Sequence, residues 1–295
     1  MIKHYIKIAL RNLGRQKGLA FINILGLSLG LACFTLFLLY AVNEFNYDRF
    51  HKNGDNIYRV YRWTEAMQGD PAAGDVYLPM PLGPALIQDL PDVENFVRFQ
   101  ESWSENYVRA DNTISSNRIS FADPQVFSVF SFKLKYGNPQ TALKDLHSIV
   151  LTEEKAKQLF GKQNPVGKPI EIKFGDEFET FVVSAIAENI PSNSSLTFEM
   201  LGNYEYLPTT ENGKRSVNNW HRSSYTTFLQ LNPTSKLANR RVNPKAPASP
   251  TTTPTTASVI PFRTTKFITS AALAPSAMRI PISCVRWVTA YDITP

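Results

Sequence analysis

A single uncharged run, Leu19 to Val42, constrains this chain more than anything else in its sequence: LAFINILGLSLGLACFTLFLLYAV. It contains no Asp, Glu, Lys or Arg, and its polar members are Asn23, Ser28, Thr35 and Tyr40. Roughly 24 residues at about 1.5 Å each make about 36 Å of helix. That crosses a hydrocarbon core of about 30 Å with some tilt. No later stretch is comparably long and apolar. The expectation is a membrane-anchored protein with one clear span, residues 19–42, and a large domain on one side.

The flanks orient the span. Lys3, Lys7, Arg11, Arg15 and Lys17 precede it without an acid among them, whereas Glu44 and Asp48 come after it before the first base, Arg49. The positive-inside rule then places the N-terminus in the cytoplasm and the main domain outside. A cleaved secretory signal is the competing reading. Its apolar core would run about 7–15 residues and end at a small-residue cleavage site. This run is longer, and Ala41 offers only a poor site.

Residues 1–18 form a segment of their own. Ile2, Tyr5, Ile6, Ala9, Leu10 and Leu13 recur at helical spacing, with Lys3, His4, Lys7 and Arg11 off that stripe. A basic amphipathic helix of this kind lies in the membrane interface, its cations on anionic lipid headgroups. The plain reading is a positive topology signal. The sharper one is an elbow helix whose Lys7 and Arg11 touch a cytoplasmic partner. Within the span, Gly26 and Gly30 form a G-x-x-x-G, a spacing that lets two helices approach closely, although glycine is common in such helices without dimerising them.

Composition settles some function classes. The net charge of +6 would suit a nucleic-acid partner. Residues 240–295, however, carry seven Lys or Arg and one acid, Asp292, so the preceding residues are neutral and no nucleic-acid role is expected. Cys33 lies within the span and Cys284 in the tail, so no disulfide framework is expected. The tail also changes in kind. It opens on NPKAPASPTTTPTTAS, and the residues after that stretch have no sustained period and are cut by prolines. We read residues 240–295 as an aberrant tail, disordered or translated out of frame; a native low-complexity tail is the competing account.

Residues 43–239 read as one mixed α+β domain. Strands are expected at Ile57–Trp63, Phe96–Phe99, Tyr107–Ala110, Ile114–Phe121, Ser148–Leu151, Ile170–Phe174, Glu179–Ala187, Leu196–Leu201 and Tyr225–Leu231. Helices are expected at Pro81–Leu90 and after Thr152, which caps a segment with Glu153 and Glu154 in its first turn and Ala156, Leu159 and Phe160 on its buried face. Asp123 is expected to cap a short helix containing Val126, Phe127, Val129 and Phe130. Strands and helices mix without regular alternation, which points to α+β rather than a doubly wound sheet.

No catalytic constellation is evident. His4, His51, His147 and His221 are scattered without metal-ligand spacing. Glu153-Glu154 is explained by the helix dipole. GKQNPVG, Gly161 to Gly167, lacks the order of a phosphate loop, since Gly167-Lys168 is followed by Pro169. Asn193-Ser194-Ser195 fits a glycosylation sequon but reads as a turn. Trp63, Trp103 and Trp220 are expected in the core. No catalytic residue, cofactor or metal site is assigned.

Four blocks in order carry a resemblance: MIKHYIKIALRNLGRQKGLAFINILGLSLGLA, NYDRFHKNGDNIYRV, FADPQVFSVFSFKLKYGNPQTALKDLHSIVLTEEKAKQLFGKQNPVGKPI and VVSAIAENIPSNSSLTFEMLGNYE. Over about residues 1–235 the chain resembles the N-terminal half of a bacterial MacB/FtsX-type ABC transporter permease: elbow helix, first transmembrane helix and MacB-like periplasmic core domain. The resemblance implies an inner-membrane permease that dimerises with itself or another permease. It implies a partner subunit that hydrolyses ATP and drives periplasmic movement or export. Such permeases have three further spans, so the chain also reads as truncated. A single-pass, membrane-anchored sensor or binding protein with an extracytoplasmic domain is the alternative.

Overall fold

The computed structural model describes residues 4–5, 11, 15–64, 73–102, 104–111, 113–235, 241–242 and 257–261. The chain divides into two units, Met1–Asn46 and Tyr47–Pro295. The first is built on one helix, α1, Lys17–Phe45, of 29 residues. It contains the expected span and extends it at both ends. None of its residues is buried. The elbow stripe lies outside the described residues except for Tyr5, which is exposed.

The second unit is a fourteen-stranded sheet with short helices on it. In chain order the strands are β1 (Ile57–Thr64), β2 (Ala73–Asp75), β3 (Leu78–Pro79), β4 (Val93–Gln100), β5 (Glu105–Ala110), β6 (Thr113–Ala122), β7 (Leu134–Tyr136), β8 (Ser148–Thr152), β9 (Pro169–Phe174), β10 (Glu177–Ala187), β11 (Met200–Asn203), β12 (Ser223–Leu231), β13 (Arg241–Val242) and β14 (Ala257–Pro261). The principal helices are α2 (Leu82–Asp89), α3 (Val126–Val129) and α4 (Glu153–Phe160). The mixed α+β class is as expected.

Six strands close on themselves. β5 pairs β6, β6 pairs β11, β11 pairs β8, β8 pairs β10, β10 pairs β9, and β9 returns to β5. The β6–β11 and β8–β10 pairings are parallel and the rest antiparallel. Alternation fills the ring. Ile170 and Ile172 of β9 point in and are buried, whereas Glu171 between them faces out to Arg109 of β5. β8 is buried along its whole length. Ile149 and Leu151 belong to the ring's core, and Val150 to a second core outside it. A strand covered on both faces reads as a continuous apolar run, which is why Ser148–Leu151 shows no alternation.

That second core joins the ring to a wing of β4, β12 and β1. Ile57, Val97, Phe99 and Phe228 of the wing pack with Val150, Ala185 and Leu201 of the ring and with Phe130 and Phe132 between them. The opposite face of the wing, through Val60 and Leu229, is covered by Leu82 and Leu86 of α2. Both faces of β1 are therefore buried, and Trp220 packs partly buried at this core. Trp63 and Trp103 lie among the residues whose side chains are not described.

Local chemistry sets the ends of α4. The Thr152 hydroxyl accepts the Lys155 N–H at 3.4 Å, and Gly161 ends the helix at φ +65°. Ala156, Leu159 and Phe160 are buried as expected.

The structure departs from expectation in three places. The Asp123 side chain does not cap α3; it is drawn to Arg98, and the helix begins from the Asp123 carbonyl, which accepts the Val126 N–H. Phe130 lies beyond α3 and is fully buried. The strand expected at Leu196–Leu201 begins only at Met200, because Leu196 and Phe198 are used as plugs of the second core. Within the tail, Arg241–Val242 and Ala257–Pro261 are strands, and β14 pairs antiparallel with β1. The rest of residues 240–295 lies outside the described residues.

Candidate functional site: the span and the segment that leaves it

The helix α1 presents its apolar side chains outward along its whole length. Its polar residues are satisfied internally. Ser28 Oγ donates to the Leu25 carbonyl at 3.0 Å and Thr35 Oγ1 to the Leu31 carbonyl at 2.8 Å. Back-bonding of this kind removes the cost of a hydroxyl in hydrocarbon. Gly26 and Gly30 lie four residues apart on one face, and a Cβ at either would meet open space. Arg11 is helical and exposed, and Lys7 lies outside the described residues.

The segment following the helix is fastened to the sheet domain by residues far away in sequence. Asp48 adopts φ +58° and is 2% exposed. Aspartate tolerates this left-handed conformation better than most side chains. Its carboxylate Oδ1 accepts the Ser195 N–H at 2.8 Å, and its own N–H donates to the Asn193 carbonyl at 2.8 Å. Tyr47 Oη donates to the Ser194 carbonyl at 3.2 Å. A second attachment comes four residues later. Ser131 N–H donates to His51 Nδ1 at 3.1 Å, and Lys52 N–H to Ser131 Oγ at 2.9 Å. The His51 ring is fully buried between Phe50, Phe130 and Phe132, with centroids 4.0 to 5.2 Å away. His51 is thus a packing histidine, and Asn193-Ser194-Ser195 is a turn with its backbone engaged. The sequence motif NYDRFH marks the segment, but nothing local in it announces the 193–195 turn as its receptor.

Other polar groups form structural clusters. Lys155 is buried, donates Nζ to Asn117 Oδ1 at 2.9 Å and pairs with Glu199 at 2.6 Å. Tyr206 Oη donates to Glu179 Oε1 at 2.9 Å, and His147 Nε2 lies 3.7 Å from the other oxygen of Glu179. Burial pushes the Tyr206 hydroxyl well above the usual tyrosine range, and the hydrogen bond to Glu179 adds to it. Glu153 pairs with Lys135 at the start of α4. The loop from Gly161 to Gly167 follows a helix, whereas a phosphate loop opens one. His221 is exposed. Among the described residues no group of three or more His, Cys, Asp or Glu could hold a metal ion.

The profile of the MacB-like periplasmic core domain matches residues 20–242. No curated protein sequence matches the chain significantly. Among solved structures, a permease-protein domain from Porphyromonas gingivalis is similar at 22% identity and a TM-score of 0.54, over 63% of this chain and 77% of that one. The periplasmic region of MacB from Actinobacillus actinomycetemcomitans aligns at 14% identity and a TM-score of 0.44, over 62% and 78% of the two chains. The extracellular domain of the ABC-type transporter YknZ from Gram-positive bacteria aligns at 14% identity and 0.42, over 61% and 85%. At these identities the likeness to the first shows the fold alone.

Proposed function

Because the chain belongs to the MacB-like periplasmic core domain family of ABC-type permeases, we propose that it is a permease subunit that couples ATP hydrolysis in a partner to movement of its own extracytoplasmic domain. The observation that carries this reading is the extent of the family match, which runs from within the apolar helix through the ring and wing. The helix is long and apolar enough to cross a membrane. The basic residues before it and the acids after it support a cytoplasmic N-terminus and an outer sheet domain, and the family supports a bacterial inner membrane.

On this reading the chain performs no catalysis itself. Its cytoplasmic end meets an ABC ATPase through an elbow helix, with Lys7 and Arg11 as contact residues. Its span meets a second permease helix, from another copy or a different permease, at Gly26 and Gly30, where the absence of side chains allows close approach. The lipid headgroups take the remaining cations of residues 1–18.

The test is capture. The full chain, tagged and co-expressed with a candidate ABC ATPase from the same genome, is extracted in mild detergent. Co-purification of the ATPase, weakened when Lys7 and Arg11 are both changed to Glu, is the expected result. Retention of the ATPase at an unchanged level by the double variant overturns the elbow contact, and failure to capture any ABC ATPase overturns the permease reading.

A further inference from the structure

We propose that Tyr47–Lys52 is a strap that ties the segment leaving the helix to β11, and that the Asp48 carboxylate is its positioning group. This rests on the permease reading for its purpose, but its geometry stands apart from it. The strap holds the domain at two places, the 193–195 turn and Ser131. Four residues, Leu196 to Glu199, lead from the turn to Met200, the first residue of β11, and Leu196 and Phe198 among them are buried in the second core.

β11 is the shortest of the six ring strands, four residues long. It pairs in parallel with β6 and antiparallel with β8. Among the described strands, β11 alone joins β6 to β8 and so closes the ring. A pull entering at Tyr47 therefore reaches the turn that precedes the strand on which closure of the ring depends, as well as β1 of the wing, into which the strap itself runs at Ile57; the wing's β4–β12 pairing is the more extensive. Asp48 is the group that makes the join specific. Its buried carboxylate occupies the Ser195 N–H while its backbone occupies the Asn193 carbonyl, so both edges of the turn are held by one residue.

The experiment is hydrogen exchange on the full chain in lipid nanodiscs, with no nucleotide or ATPase added, comparing the wild type with Asp48→Ala and Asp48→Asn. The Asn variant retains an oxygen acceptor and tolerates the left-handed backbone. In Asp48→Ala, the Ser195 amide and the β11 amides exchange at least about tenfold faster, the β4–β12 amides are unchanged, and Asp48→Asn stays close to the wild type. If Ser195 alone speeds up, the turn is released without effect on β11 and the strap is overturned. If all amides speed up together, Asp48 is a general stability residue and the proposal also falls. Because no ATPase is present, either failure leaves the permease reading intact, and failure to capture an ATPase leaves this result intact.

Discussion

Arg98 and Asp123 are joined side-on inside the domain. Arg98 Nη2 donates to Oδ1 at 2.7 Å and Nε to Oδ2 at 3.0 Å, while the Arg98 backbone N–H also donates to Oδ2 at 2.6 Å. Arg98 is 6% exposed and Asp123 2%. The pair sits beside the short β4–β6 contact, Phe99 with Ala122 and Gln100 with Phe121, where the wing meets the ring. Arg98 also reaches Glu205 at 2.7 Å, the Met80 carbonyl at 3.3 Å, and lies 4.1 Å over the Tyr204 ring. Burial pushes the Asp123 carboxyl up and the hydrogen bonds from Arg98 pull it back down.

Removing one partner should be costly, because it strands a buried charge. Asp123→Ala is expected to destabilise by about 3–5 kcal/mol in chemical denaturation. Replacing both, as Arg98→Met with Asp123→Leu, should cost clearly less than Asp123→Ala alone. A loss below about 1 kcal/mol for Asp123→Ala would show that Glu205 and the Met80 carbonyl suffice for Arg98.

Stability should decline in alkali. Burial raises the hydroxyls of Tyr204, Tyr206 and Tyr225 above the ordinary value of 10.0. In Tyr206 the bond to Glu179 raises it further, and in Tyr225 a bond to Ser216 pulls against the shift. A group whose folded value lies above its unfolded value stabilises fully below the unfolded value and loses that contribution as pH rises. Thermal unfolding followed by circular dichroism should therefore show a steady midpoint up to about pH 9 and a fall above about pH 10. Tyr204→Phe should flatten that fall. A midpoint that does not move between about pH 9 and about pH 11 would contradict the burial of these rings.

Two glycines should answer differently to alanine. Gly161 adopts φ +65° with ψ −127° in open space, so Gly161→Ala meets backbone strain alone, about 1–3 kcal/mol. Gly137 adopts φ +97°, and a Cβ there would lie 2.5 Å from the Ala185 Cβ and 2.9 Å from its Cα. The obstruction includes backbone of β10, which cannot swing aside. Gly137→Ala should therefore cost at least about 1–3 kcal/mol more than Gly161→Ala. Equal losses in urea titrations would mean that β10 yields to the added methyl group.

Much of this fold is legible locally. The α4 helix announces itself through Thr152, its two first-turn glutamates and its apolar face, all short-range signals. The β9–β10 hairpin is signalled by Gly175-Asp176 between two alternating runs. Asp123 shows where this stops. Its position three residues before Val126 is a sound capping signal, yet its carboxylate forms three hydrogen bonds with Arg98 and leaves α3 to a backbone start. Leu196 and Phe198 likewise have the spacing of a strand, but the second core needs them as plugs. The short β7 and the turn of 3-10 helix at Tyr204–Thr209 carry no periodic signal that would announce them.

The candidate site divides in the same way. That a long uncharged helix heads the chain, with bases before it and acids after it, is written in residue order alone, because crossing hydrocarbon depends on length and charge. That Asp48 is held by residues 193 and 195, and that β11 closes a ring between β6 and β8, was decided only in the tertiary structure. The Asp48 contacts join groups more than a hundred residues apart. No periodicity or composition encodes which distant amide a buried carboxylate will meet; only the packing of the intervening strands brings the two together.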